Sequence, residues 1–256
     1  MYAFAIWDTR KKKLFVARDI FGIKPLYYAQ MNGTLMFASE IKAFMEHPKF
    51  DKVFNEDALG NYLSFQFVPT NETFFKGVFC LQPGHYFTYE NGELNITRYF
   101  EPNFTGDTEK SFEEIVDDVE AVMKESVAMH KISDVEVASY LSSGVDSSYL
   151  TYLGQVDRTF TVGFDEGKYS EIQDAKEFAA SINMKNDAKV ITPEEYWDRL
   201  SDIQYYMDEP VADPAAIALY FLSEEASKKV KVVLSGEGSD ELFGGYNIYC
   251  EPLEHT

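Results

Sequence analysis

Cysteine occurs only twice in these 256 residues, as Cys80 and Cys250. Two thiols so far apart build no disulfide framework, and a reducing cytoplasm is the expected compartment. Histidine is almost as scarce. His47, His85, His130 and His255 are scattered, with no HExxH run and no zinc-ligand spacing. Basic side chains are outnumbered, 23 against 43 acidic ones, for a formal net charge of −20. Such a field repels a duplex or an anionic membrane, so neither nucleic acid nor a membrane is an expected partner. No apolar stretch approaches the roughly 20 residues that span a bilayer. The first residues, Met1-Tyr2-Ala3-Phe4, lack the basic segment of a signal peptide. Also missing are a G-x-S-x-G nucleophile elbow and a Gly-Lys-Ser/Thr phosphate loop.

What is present is an ordinary globular composition, 45% hydrophobic and 26% charged. The length allows two domains. In the first hundred residues, Tyr2–Trp7, Leu14–Ala17, Leu26–Ala29 and Leu35–Ala38 are short apolar runs with the spacing of strands. Asn32-Gly33 and Asn91-Gly92 predict tight hairpin turns, the second joining Gly84–Tyr89 to Leu94–Phe100. One helix is expected from Glu56 to about Phe65, capped by Asn55. The reading for this half is a mostly antiparallel sheet with few helices.

The pattern changes near Glu101–Lys110, where Pro102 and Gly106 mark a linker. Ser111 then caps a long amphipathic helix with Ile115, Val119, Val122, Met123 and Val127 on one face. Strands are expected at Val135–Leu141, Thr159–Phe164, Ala188–Ile191 and Val230–Leu234. Helices alternate with them near Ser147–Gly154, Ser170–Ile182, Pro193–Met207 and Pro214–Lys228. That alternation predicts a parallel sheet wrapped by helices.

Two of these strands run into chemically similar turns. Leu141-Ser142-Ser143-Gly144-Val145-Asp146-Ser147-Ser148 follows the first, and Leu234-Ser235-Gly236-Glu237-Gly238-Ser239-Asp240-Glu241 the last. Ligands of parallel sheets bind off the carboxyl ends of strands, and a helix N-terminus beyond such a turn favours an anion. One Ser/Gly/Asp run alone reads first as a plain turn that caps a helix. Two of them can face one ligand from adjacent strands, with Asp146 and Asp240 sharing a metal bound to pyrophosphate.

These residues resemble the glutamine-hydrolysing asparagine synthetase family. The loop at 141–148 is similar to the SGGxDSS pyrophosphate loop of N-type ATP pyrophosphatases. Leu234 to Tyr246, reading LSGEGSDELFGGY, is similar to the family's second signature. Tyr2–Asp8 and Arg18–Tyr28 (RDIFGIKPLYY) look like the rear of its glutaminase domain. The resemblance implies an α+β part followed by an α/β part. Residues 1–105 would be the C-terminal part of a class II glutamine amidotransferase domain, with partial Ntn-type antiparallel sheets. Residues 112–256 would be the N-terminal part of the ATP pyrophosphatase (synthetase) domain, with a parallel, doubly wound sheet.

The chemistry implied is attack of aspartate's β-carboxylate on the α-phosphorus of ATP, giving β-aspartyl-AMP and pyrophosphate. Ammonia from glutamine then displaces AMP. By motif position, Ser142, Ser143, Gly144, Asp146, Ser147 and Ser148 would cradle pyrophosphate, with Asp146 and Asp240 on Mg²⁺. Leu141, Val162, Ser235 and Gly236 would contact the adenosine part, and Glu237 would accept a proton from ammonia or orient it. The implied ligands are ATP, Mg²⁺, aspartate and glutamine, and a homodimer is compatible with the resemblance. A relative that amidates another carboxylate or closes a β-lactam keeps the same loops, as would a non-catalytic nucleotide-binding remnant.

Three departures accompany the resemblance. Ser143 stands where the pattern more often has glycine. The family's N-terminal cysteine nucleophile has no counterpart, and the sequence stops soon after Tyr246, so an internal fragment is expected. On that reading the 256-residue chain hydrolyses no glutamine. The check is an assay of glutamate release from glutamine, in which turnover above a heat-treated control would refute the expectation.

Overall fold

The computed structural model describes residues 1–106, 109–164 and 171–250. His255, Ser170 at the start of an expected helix, and part of the expected linker lie outside them. The chain divides into two compact units, Met1–Gly106 with Gln204–Asp213, and Asp107–Ile203 with Pro214–Thr256.

Unit 1 contains β1 (Ala3–Asp8), β2 (Lys13–Arg18), β3 (Tyr27–Met31), β4 (Thr34–Ala38), α1 (Lys42–Met45), α2 (Glu56–Phe65), β5 (Val78–Cys80), β6 (His85–Glu90) and β7 (Glu93–Arg98). They form two antiparallel sheets, ordered β1-β2-β6-β7 and β4-β3-β5. The turn pairs Asn32-Gly33 and Asn91-Gly92 all have positive φ, as a two-residue hairpin turn with the sheet's own twist demands. Tyr28 packs with Val16, Leu26, Leu81 and Phe87, while its neighbour Ala29 packs with Met36, Ile41, Phe44 and Val78. Successive strand residues point to opposite faces, so the three-stranded sheet is buried on both sides. This is why Leu26–Ala29 is an unbroken apolar run.

Asp19 organises the loop between β2 and β3. The residue is only 2% exposed, yet its carboxylate has no cationic partner among the described residues. Instead Oδ1 accepts from the Phe21 and Ile23 amides at 3.2 and 3.0 Å, and Oδ2 from those of Tyr2 and Lys24 at 3.1 and 3.0 Å. Burial by itself would raise this carboxyl's pKa, but the four amides outweigh it and hold the group below its ordinary value. Arg18 ties down the same turn through the carbonyls of Gly22 and Lys24, then reaches the Leu81 carbonyl and Cys80 Sγ. Cys80 is half-buried with its sulfur against this guanidinium. Burial pushes its thiol pKa up and the guanidinium opposes the rise.

Two further features differ from expectation. Asn55 occupies the N-cap position of α2 but its amide donates to the Thr73 carbonyl, because the residue is buried and that carbonyl lies beside it. The segment Gln204–Asp213 joins unit 1 through two carboxylates. Asp208 accepts the Ile41 amide at 2.6 Å and pairs with Lys42 Nζ at 2.8 Å, and Glu209 accepts the Phe74 amide at 2.8 Å. Burial raises the Glu209 carboxyl despite that hydrogen bond.

Unit 2 contains α3 (Phe112–His130), β8 (Val137–Tyr140), α4 (Val145–Gly154), β9 (Arg158–Phe164), α5 (Ile172–Ser181), β10 (Lys185–Ile191), α6 (Pro193–Met207, whose last turn counts with unit 1), α7 (Ala215–Ser227), β11 (Val232–Leu234) and α8 (Ser239–Phe243). Ser111 caps α3 in a reciprocal capping box with Glu114. Of the five residues expected on its buried face, only Val127 is buried. Met123 is half-buried, while Ile115, Val119 and Val122 are exposed, since just the last turns of α3 reach the sheet.

The four strands are parallel and ordered β10-β9-β8-β11. Val137, Leu141 and Leu234 pack with α3, α4 and α5, while Ala138, Phe160, Val162 and Ile191 pack with α6 and α7. Helices thus cover both faces and the sheet is doubly wound. The chain steps outward from β8 to β10 and then returns to pair β11 on the other side of β8. That reversal puts the topological switch point between β8 and β11.

Asp19→Asn places an amide NH₂ against backbone donors, and should destabilise unit 1 by roughly 2–4 kcal/mol at pH 7. Because Asp19's folded pKa is depressed, its contribution is complete above the ordinary value near 3.8 and is lost as pH falls through the lower folded value. The difference between wild type and variant should therefore shrink in acid. Urea unfolding followed by Trp7 fluorescence in a Trp197→Phe background measures it.

Candidate functional site

β8 ends at Tyr140, and the next four residues lead into α4. Leu141 is buried, its amide bonded to the Phe160 carbonyl and its own carbonyl to the Thr161 hydroxyl. This pins the turn to β9. Beyond it the loop is held by hydroxyls. The Ser142 amide donates to Ser147 Oγ at 3.1 Å, the two serine oxygens are 2.8 Å apart, and the Gly144 amide donates to Ser142 Oγ at 3.1 Å. Gly144 is the extended N-cap of α4, so the first-turn amides of that helix stay without intrahelical acceptors.

The loop after β11 lies directly against this one. A β-carbon on Gly236 would stand 3.3 Å from the Ser147 nitrogen and 3.5 Å from the Asp146 carbonyl carbon. Only glycine permits so close an approach at no cost. Gly238, at φ +92°, turns the chain into α8, where Asp240 follows. After α8, Gly245 makes room for a side chain: a β-carbon there would be 2.0 Å from Asp240 Oδ1. The Tyr246 hydroxyl donates to Glu241 at 2.9 Å, and that bond pushes the phenol up to about 12.

Together these loops border a cavity of about 330 Å³. Leu141, Ser142, Gly144, Asp146, Ser147, Val162, Ser235, Gly236, Glu237 and Asp240 line it; Ser143 and Ser148 do not. Sequence reasoning missed Glu171 and the α7 face of Ala215, Ala218, Leu219 and Leu222, which also line it. The spacing of the α7 residues marks one helical face, but α7 is apolar nearly all round, so no stripe stands out. Tyr140 reaches the same helix through Ser223 Oγ at 3.0 Å.

Four acidic residues (Asp146, Glu171, Glu237 and Asp240) line this cavity, and no Lys, Arg or His does among the described residues. The side-chain carboxylates of Asp146, Glu237 and Asp240 accept no hydrogen bond and join no ion pair among the described residues. Those residues also contain no group of three acid, His or Cys side chains converging as a metal cage. The donor set therefore suits a hard cation that takes one or two carboxylates and fills its shell with ligand oxygens and water, as Mg²⁺ does with phosphates. The cavity offers an apolar wall at one side and helix amides with carboxylates at the other.

Comparison with known proteins gives two family matches. Residues 118–255 match the asparagine synthase family, and residues 1–100 match a glutamine amidotransferase domain. The chain is 45% identical to an asparagine synthetase (glutamine-hydrolysing) of Bacillus subtilis, over 99% of its length. It is 44% identical, also over 99%, to a putative asparagine synthetase (glutamine-hydrolysing) of Mycobacterium bovis. It spans 40% of the length of either relative. The solved structure of an NMN synthetase from Francisella tularensis matches 54% of this chain and 59% of its own, at 19% identity and a TM-score of 0.35.

Gly245→Ala should rotate the Asp240 carboxylate out of its present position, because a side-chain oxygen yields more readily than backbone. The site is exposed, so stability should change by no more than about 0.5 kcal/mol. A crystal structure of the variant checks the first point and thermal unfolding the second.

Proposed function

Because the chain belongs to the asparagine synthase family, we propose that unit 2 binds ATP in the β8–β11 cavity and adenylates the side-chain carboxylate of aspartate. In this reading the aspartate oxygen attacks the α-phosphorus, pyrophosphate leaves, and ammonia then takes the acyl carbon from AMP to give asparagine. The observation that carries the reading is the meeting of two Ser/Gly/acid loops, on neighbouring parallel strands, around the N-terminus of α4.

The base would lie on the apolar wall formed by Val162, Ala218, Leu219 and Leu222. Backbone groups of Leu141, Ser235 and Gly236 would meet the adenosine. The phosphates would take the α4 N-terminus, where unpaired amides and the helix dipole favour negative charge. Ser142 and Ser147 hydroxyls already hold the loop open at that end and can re-aim towards phosphate oxygens, with Ser143, Gly144 and Ser148 supplying the rest of the cradle.

Charge decides what else is needed. A cavity with four carboxylates and no base among its described residues repels a bare triphosphate. Asp146 and Asp240 would hold Mg²⁺, which supplies neutralisation of the phosphates and of the departing pyrophosphate. Glu237, its carboxylate also without a partner among the described residues, would take the proton that the attacking ammonia must lose. Unit 1, matched to a glutamine amidotransferase domain, would belong to the part that supplies ammonia from glutamine.

Asp146→Ala and Asp240→Ala should each weaken binding of ATP in the presence of Mg²⁺ by at least about tenfold, measured by titration calorimetry. Asp146→Ala should also abolish aspartate-dependent ATP–pyrophosphate exchange, measured as incorporation of labelled pyrophosphate into ATP. Unchanged binding and exchange would overturn the assignment.

A further inference from the structure

We propose that Glu171 is a carboxylate gate on the anion end of this cavity. It holds the Ser143 amide when no phosphate is there, and it makes the site refuse polyphosphates that arrive without a metal ion. The inference rests on the nucleotide reading above and extends it.

Glu171 occupies the N-cap position of α5, yet its side chain makes no capping bond to that helix. Its Oε2 accepts instead from the Ser143 amide, 28 residues earlier, at 3.4 Å. The amides on either side of Ser143 are satisfied inside the loop by neutral hydroxyls, Ser142's by Ser147 and Gly144's by Ser142. Ser143 alone of the three gives its amide to a charged group from another element. A long hydrogen bond to an exposed side chain contributes little stability. A phosphate oxygen at the same amide forms a shorter, stronger bond and displaces it cheaply.

A neutral residue would satisfy the Ser143 amide equally well, so the charge itself needs a reason. Three other carboxylates already face the cavity, and among the described residues no cation balances them. Each added negative charge a few ångströms away raises the cost of admitting a free polyphosphate more than that of a metal-charged one, whose net charge is smaller. Glu171 itself lines the cavity, beside the loop that the proposed phosphates would meet, so its charge acts on that choice directly. Displaced, it remains in the cavity wall beside the metal-charged phosphates.

The test compares the wild-type chain with Glu171→Gln and Glu171→Ala, titrated with inorganic pyrophosphate and ATP, each with EDTA or with excess Mg²⁺. Glutamine keeps an acceptor for the Ser143 amide and removes only the charge. Both variants should bind metal-free pyrophosphate roughly tenfold more tightly than wild type. Binding of Mg-ATP should shift by less than about threefold, so the preference for the metal-charged ligand falls. Unchanged or weaker metal-free binding in both variants overturns the proposal. So does tightening in the alanine variant alone, since occlusion and not charge would then be the cause. If wild type binds no ATP even with Mg²⁺, the nucleotide assignment falls and the gate with it. If it binds Mg-ATP and the variants behave like wild type, only the gate falls.

Discussion

The pairing of β8 with β11 is the contact on which the candidate site depends. Val137 lies beside Val232 and Ser139 beside Leu234, so two segments 95 residues apart end at the same level. Parallel strands cannot be joined by a tight turn, and everything from α4 to α7 serves as the crossover. Ser139 sits under this pairing with no exposure, and its hydroxyl bonds Thr151 of α4 at 2.9 Å. One buried polar link therefore fixes α4 to the strand pair, and with it the direction in which the helix N-terminus points. Gly236 completes the arrangement by letting the second loop touch the first.

Electrostatics then sets what that arrangement can hold. The whole chain carries −20, and its cavity concentrates carboxylates where a phosphate ligand would sit. Backbone amides and a helix dipole contribute partial charges only, which cannot offset four carboxylates. A multivalent cation is the economical solution, because it neutralises both partners at once. The same logic gives Glu171 a purpose beyond filling a hydrogen bond.

In unit 1 the polar residues of a prominent motif have gone into construction. Arg18 and Asp19 are spent on backbone groups of their own loop, of Tyr2 and of Leu81, and on the sulfur of Cys80, every contact lying within unit 1. A buried carboxylate ringed by amides is stable there because hydrogen bonds to its charged form replace water. Sequence alone gives no means of separating such a scaffold pair from a catalytic one, since both are short polar interruptions between strands.

Local chemistry determined much of this protein from sequence. Hydrophobic period located every strand but β5, which is three residues long and too short to show one. Asn-Gly pairs fixed both hairpins because only residues that tolerate positive φ close such turns. Ser111 marked the start of α3, and the two Ser/Gly/acid runs named most of the cavity's polar residues. Tertiary structure decided the rest. Asn55 gave up its cap for the Thr73 carbonyl, α3 left most of its apolar face outside the core, and Gln204–Asp213 joined unit 1 through Asp208 and Glu209. Glu171 and the α7 wall entered the site only through packing. None of these carries a local signal, because each depends on which distant backbone group or helix face happens to lie within a few ångströms once the sheets have formed.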